Sequence, residues 1–289
     1  MSRRLGLALG GGGARGLAHL GVLIALEEAG IPVSMIAGTS MGAAMGAAKS
    51  VGADLQLIAS VLESLDLNDM LQVSDSTVRE VQKIVGRSMV EYVRGSAWKE
   101  ENYEPHDLVR LRELFRLLTA GKSFSDVKIP FAAVAANLET GERVVMQEGL
   151  LYEAVVASTS VPGVFSPVAS DGQFLIDGGV VDKLPVDVTI DLGAEAVVAV
   201  DTGAPLDRGV TTCLDALLQT QRVTSHQLTN LQLQYARERL DGHLIVIKPE
   251  VGWIRMFGFE HTRDAIQGGK DAAHAHLDDI RALVGPSAS

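Results

Sequence analysis

The sequence predicts one α/β domain, a three-layer sandwich whose mostly parallel central sheet is covered by helices on both faces. Three observations carry that expectation. The runs Leu5–Leu9, 33–37 and Ala196–Val200 are short and free of charge, as strands buried on both faces are. The first two pass through glycines directly into helix-like patterns, the signature of strand-loop-helix units. No repeat or low-complexity linker divides the 289 residues, and a 47% hydrophobic content supplies one large core.

The elements follow in order. Leu5–Leu9 leads through Gly10-Gly-Gly-Gly-Ala-Arg-Gly16 to an amphipathic run over 17–29. In that run Leu20, Leu23, Ile24, Ala25 and Leu26 fall near helical spacing, and Gly30 supplies the stop. Residues 33–37 read as a strand that turns at Gly38-Thr-Ser-Met-Gly42 into a small, helix-permissive stretch ending at 48. Residues 53–65 read as a helix. Residues 66–104 turn polar, with patchy helical signal over 78–93 and a charged run at 99–104, and read as a cap or as a solvated insertion. A helix at 108–118 is followed by strands at 130–138 and 143–147, whose Glu-Thr-Gly-Glu connection marks a hairpin. A helix at 151–157 precedes a strand ending at Asp177. Then come strand Ala196–Val200, a long helix over 214–240, strand Leu244–Ile247 and a last helix from about Thr262.

The chemistry concentrates where strands end. Gly38-Thr-Ser-Met-Gly42 is a Gly-x-Ser-x-Gly pentapeptide at a strand-to-helix turn, a setting that lifts Ser40 to the apex beside a helix N-terminus. About 0.2 such matches are expected by chance in a chain of this composition, so the motif's weight comes from its surroundings. The preceding loop supplies them, because four successive glycines after a strand leave backbone N–H groups free to converge on a phosphate or an oxyanion. Gly11-x-Gly13-x-x-Gly16 also fits a dinucleotide fingerprint, which calls for an acid at the end of the second strand. That place holds Gly38-Thr39-Ser40 instead. The oxyanion-hole reading is therefore preferred, with a nucleotide-binding module as the lesser alternative.

A serine needs a base. None of the seven histidines (19, 106, 226, 243, 261, 274 and 276) occupies a strand-end loop flanked by small residues, and each reads as solvated or locally bonded. Phe174-Leu-Ile-Asp-Gly-Gly179 instead ends an apolar strand in a carboxylate followed by two glycines. Asp177 could take the Ser40 proton directly, forming a dyad.

Taken in order, Gly11-Gly-Gly-Ala-Arg-Gly16, Gly38-Thr-Ser-Met-Gly42, Ala157-Ser-Thr-Ser-Val-Pro162 and Asp177-Gly-Gly179 resemble the four sequence blocks of patatin-like phospholipases. The resemblance spans about residues 5–200 and is closest in style to short bacterial members. It implies a patatin-like fold and a Ser–Asp dyad acting on acyl esters of lipids without a metal or other cofactor. Ser40 is then the nucleophile and Asp177 the base, with the Gly11, Gly12 and Gly13 amides as the oxyanion hole. Arg15 matches the basic position and is a candidate for a phosphate head group or for stabilising the loop. The same acyl-enzyme would also serve an acyltransferase. By this reading 5–200 is the catalytic domain, 66–128 contains the cap or insertion, and 201–289 is an extension packed on the same domain.

Composition narrows the partners. A formal net charge of −11 argues against nucleic acid and against an electrostatic grip on anionic bilayers. The single cysteine, Cys213, excludes an intrachain disulfide. Leu5–Leu9 is too short for a signal-peptide core, and the uncharged stretch 29–48 contains Pro32 and the glycine turn, so it reads as a buried strand-turn-helix. The expectation is a cytoplasmic protein acting on a lipid or phospholipid acyl ester, with peripheral membrane contact and homo-oligomerisation left open. The segment 251–259 gathers Trp253, Ile254, Met256, Phe257 and Phe259 in a chain that is only 4% aromatic. It reads either as core beside the strand Leu244–Ile247 or as an apolar patch near the acyl pocket.

Overall fold

The computed structural model describes residues 2–71, 106–206, 209–210 and 213–285. Most of the expected cap, including the helical signal at 78–93 and the charged run at 99–104, lies outside the described residues.

An eight-stranded sheet organises the described part. Strands β1 (Leu5–Leu9), β2 (Met35–Thr39), β3 (Phe131–Asn137), β7 (Ala196–Val200) and β8 (Leu244–Ile247) run parallel in the order β3-β2-β1-β7-β8. Strands β4 (Arg143–Met146), β5 (Val168–Ser170) and β6 (Gln173–Asp177) add antiparallel pairings beyond β3. β1, β2, β3 and β7 are buried along their whole length, which is why they read as continuous apolar runs rather than alternating ones. The expected hairpin is present, with Ala136 opposite Arg143. β2 runs on past Ala37 through Gly38 and Thr39, so the strand ends immediately before Ser40.

The connecting helices are α1 (Ala18–Glu28), α2 (Met41–Ser50), α3 (Leu55–Ser64), α4 (Leu67–Leu71), α5 (His106–Leu118), α6 (Leu151–Thr159), α7 (Val186–Asp191), α8 (Cys213–Arg239), α9 (Thr262–His274) and α10 (Leu277–Val284). The expected last helix is two, broken after His274, and β5 and α7 carried no clear sequence signal. The first helix also departs from expectation. Its N-terminal part is a 3-10 turn, Gly13–Leu17, and residues 18–26 of α1 are all buried, so the helix presents no polar face. The cause is α9, which lies against it backbone to backbone. A Cβ on Gly21 would stand 1.9 Å from the Ile266 carbonyl, and one on Gly269 would stand 1.9 Å from that of Ala18.

The main core joins β1, α1, α2, α6 and the C-terminal helices, while a smaller cluster packs Leu184, Val186, Leu233, Ala236 and Leu240 on the other face of the sheet. Helices thus cover both faces, and β8, α9 and α10 extend the sheet and core built by residues 5–200.

Candidate active site

β2 and β6 meet on one edge of β3, and that meeting creates the site. Alternate residues of a strand direct their N–H and C=O groups to opposite edges. The Pro130 carbonyl accepts from Ile36 of β2, and the Leu138 amide donates to Phe174 of β6, while Asn137 faces the β4 side through Glu142. Positions 130 and 138 share a parity, so β2 and β6 use the same edge. Running in opposite directions, they abut at consecutive registers, Thr39 beside Val134 and Asp177 beside Ala135. Ser40 follows one and Asp177 closes the other.

At that junction Ser40 adopts φ 55° and ψ −126°, a conformation non-glycine residues seldom hold. The turn is feasible because Gly38 and Gly42 lack side chains. A Cβ on Gly38 would lie 2.5 Å from the Gly42 carbonyl oxygen, and one on Gly42 would lie 2.1 Å from that of Leu9. Met41 and Gly42, in the first turn of α2, leave amides with no intrahelical partner beside Ser40.

The Ser40 hydroxyl lies near the Asp177 carboxyl and favours its ionised form. Both residues are about 6% exposed. The Gly179 amide also donates to Asp177 Oδ1, at 2.7 Å. Burial pushes the Asp177 carboxyl up to about 6, against the opposing pull of the Ser40 hydroxyl, the Gly179 amide and the Lys183 ammonium. A carboxyl with that value is ionised at neutral pH and is a far better proton acceptor than an exposed aspartate.

Ser158 is a residue whose part the sequence did not disclose. Its hydroxyl accepts from the Ser40 amide at 2.9 Å and donates to the Val134 carbonyl at 2.6 Å, tying the turn to β3 from α6. Its block in the sequence marked the position but not the partner. The segment after Asp177 is a second tie. The Asp182 carbonyl accepts from the Thr39 hydroxyl, and the Lys183 carbonyl accepts from the Gly11 amide. Asp182 is itself buried and paired with Arg143 Nη1 at 2.6 Å, which fixes the loop to β4.

The glycine loop lies beside Ser40, with Gly11 facing its Cβ. Here one expectation needs correction. The Gly11 amide donates to Lys183 at 2.9 Å, so it is occupied and does not point into the site. Gly10 and Ala14 likewise donate to Val200 and Met256. Among the described residues the amides of Gly12 and Gly13 make no hydrogen bond. Arg15 is turned inward and buried. Its Nε and Nη1 donate to the carbonyls of Thr202 and Ile254, so of its two expected roles the geometry matches the loop-stabilising one. Burial and, after it, the neighbouring Arg222 lower the Arg15 guanidinium to about 10, with Asp201 opposing both.

The segment 251–259 divides between its two expected fates. Val251, Ile254 and Phe259 are core, while Trp253 and Met256 are 60% and 42% exposed. The Met256 carbonyl also receives the Ala14 amide, so this segment borders the glycine loop. Among the described residues no group of His, Cys, Asp or Glu side chains could hold a metal ion.

A family model of patatin-like phospholipases matches residues 7–190, which contain Ser40, Asp177 and the glycine loop. The chain belongs to the patatin-like phospholipase family. Among curated proteins, an uncharacterised NTE family protein of Mycobacterium tuberculosis is 34% identical over 199 residues, covering 69% of this chain and 49% of that protein. The lysophospholipase NTE1 of Mycosarcoma maydis is 32% identical across 69% of this chain and 10% of its own length. Neuropathy target esterase sws of Drosophila melanogaster is 33% identical across 74% and 14%. The chain thus spans about half of the mycobacterial relative and a small part of the others. Among solved structures, the ExoU–SpcU complex of Pseudomonas aeruginosa aligns with a TM-score of 0.52 at 17% identity, covering 99% of this chain and 53% of that one, which is a likeness of fold.

Proposed function

We propose that this patatin-like chain is a serine lipid acyl hydrolase of the phospholipase A, lysophospholipase or carboxylesterase type. The observation that carries the reading is Ser40, held in a strained turn at the end of β2, with the buried Asp177 carboxyl beside it poised near pH 6. Asp177 takes the Ser40 proton as Oγ attacks an ester carbonyl. The Gly12 and Gly13 amides and the first turn of α2 hold the developing oxyanion. The proton passes to the departing alcohol, and water activated by Asp177 then releases the fatty acid from the acyl-enzyme. Relatives named lysophospholipases make lysophospholipids the first substrates to try. The exposed Trp253 and Met256, beside the glycine loop, are proposed as the contact with a lipid surface, with Leu206 of the neighbouring loop.

The test is product analysis. Wild-type protein should release fatty acid from lysophosphatidylcholine and from short soluble esters, and Ser40→Ala should release none. Release that survives Ser40→Ala removes the reading, and acyl ester formed on an added alcohol in place of fatty acid would make the protein a transferase.

A further inference from the structure

We propose that His19 is a positioning residue for the oxyanion loop, a role that rests on the hydrolase reading above. His19 occupies the first turn of α1 and is fully buried. Its Nε2 lies 2.6 Å from the Gly10 carbonyl and 3.5 Å from Thr202 Oγ1, while its Nδ1 has no partner. A Cβ on Gly16, at the far end of the loop, would come within 3.7 Å of His19 Cδ2, so the ring stands near both ends of the glycine run.

Burial holds the imidazole down to about 4, against the pull of the Gly10 carbonyl and Asp201, so the ring is neutral where the enzyme works. A neutral imidazole has one N–H, and the short contact to a carbonyl assigns it to Nε2. The consequence falls on one peptide group. Its carbonyl end, Gly10, is held by His19, and its amide end, Gly11, donates to Lys183. A peptide gripped at both ends fixes where the chain enters Gly12 and Gly13, the two residues whose amides are left for an oxyanion. Successive glycines are the most costly residues to hold in one conformation, so such a loop depends on external grips. The grip is an N–H on a side chain, with no contact to the reacting atoms.

The experiment compares His19→Leu, which keeps bulk but removes the N–H, with His19→Gln, which returns an N–H near the Nε2 position. Two quantities are read on the full chain: the rate of Ser40 labelling by a fluorophosphonate together with kcat and KM for a short ester, and hydrogen–deuterium exchange of the peptide covering residues 10–16. His19→Leu should lower labelling and kcat by about 10- to 100-fold with KM within about twofold, because the loop is displaced rather than lost. Exchange over 10–16 should rise in that variant, and His19→Gln should restore both. Wild-type labelling rate with unchanged exchange in His19→Leu overturns the proposal, as does His19→Gln being as impaired as His19→Leu. Should wild-type protein not be labelled at Ser40 at all, the hydrolase reading fails, and the exchange comparison still decides whether His19 holds the loop.

Discussion

For Asp177 as the proposed base two demands oppose each other, since a base must be ionised to act, yet burial penalises the ionised form. The carboxyl settles near 6 because burial outweighs the hydroxyl, the amide and the Lys183 charge that favour ionisation. Activity should therefore climb with pH through about 6 and level off above it. A flat kcat/KM profile between pH 5 and 7 would contradict this assignment of the base. The sign for stability is the reverse. The folded state binds protons at Asp177 that the unfolded chain has released, so stability falls as pH rises from about 4 through about 6. Asp177→Asn should then cut kcat by about 10³-fold or more while raising the melting temperature at pH 8 by roughly 2–4 °C, a change worth about 1 kcal/mol in a chain of this size. The turn at Ser40, the strand end at Asp177 and the glycine loop were legible because each motif is local, a few residues whose types announce a turn. Ser158 and the occupied Gly11 amide were not, because each takes its meaning from a partner remote in sequence, Val134 with Ser40 and Lys183, and His19 was not because its helical position does not show that its ring turns back to the Gly10 carbonyl.

The packing of α1 on α9 shows the same limit for a whole element. Residues 17–29 carry an amphipathic pattern on paper, but the face expected to meet solvent meets a helix from the far end of the chain. What permits that contact is the pair Gly21 and Gly269, which let each backbone touch the other. Gly269→Val should force the helices apart at Ala18, the neighbour of His19, at a cost of about 3 kcal/mol. Calorimetry and an ester assay would then show a lower melting temperature and a weakened site together. A melting temperature within a degree of wild type would mean that the helices adjust freely and that the contact is incidental. Of the wholly buried strands, β1, β3 and β7 were read correctly in sequence, since a strand buried on both faces has no polar face to mislead. β2 alone was placed too early, because Gly38 and Thr39 look like turn residues and are the end of the strand.

Across the whole molecule, the site lies where the glycine loop, the Ser40 turn, the Asp177 loop and the loops after β7 and β8 converge. The last of these carries Trp253 and Met256 outward. Among the described residues no helix is long and apolar enough to cross a membrane, and a net charge of −11 gives anionic lipid no electrostatic hold. On the proposed reading, contact with a lipid surface would fall to apolar side chains. Trp253→Ala should weaken sedimentation with phosphatidylcholine vesicles and slow long-chain ester hydrolysis by about tenfold, leaving short soluble esters unaffected. Equal loss on both substrate classes, with a lower melting temperature, would return Trp253 to a purely structural part against His261, whose ring it meets edge-on at 4.7 Å.

All of these readings depend on Ser40 being a nucleophile activated by Asp177, and one measurement addresses that directly. Purified protein is treated with a fluorophosphonate and the adduct is located by mass spectrometry of its peptides, with Ser40→Ala and Asp177→Asn treated alongside. A single adduct on Ser40 is expected, none in Ser40→Ala, and labelling slowed by orders of magnitude in Asp177→Asn. An adduct on another residue, or an Asp177→Asn variant labelled at the wild-type rate, would contradict it.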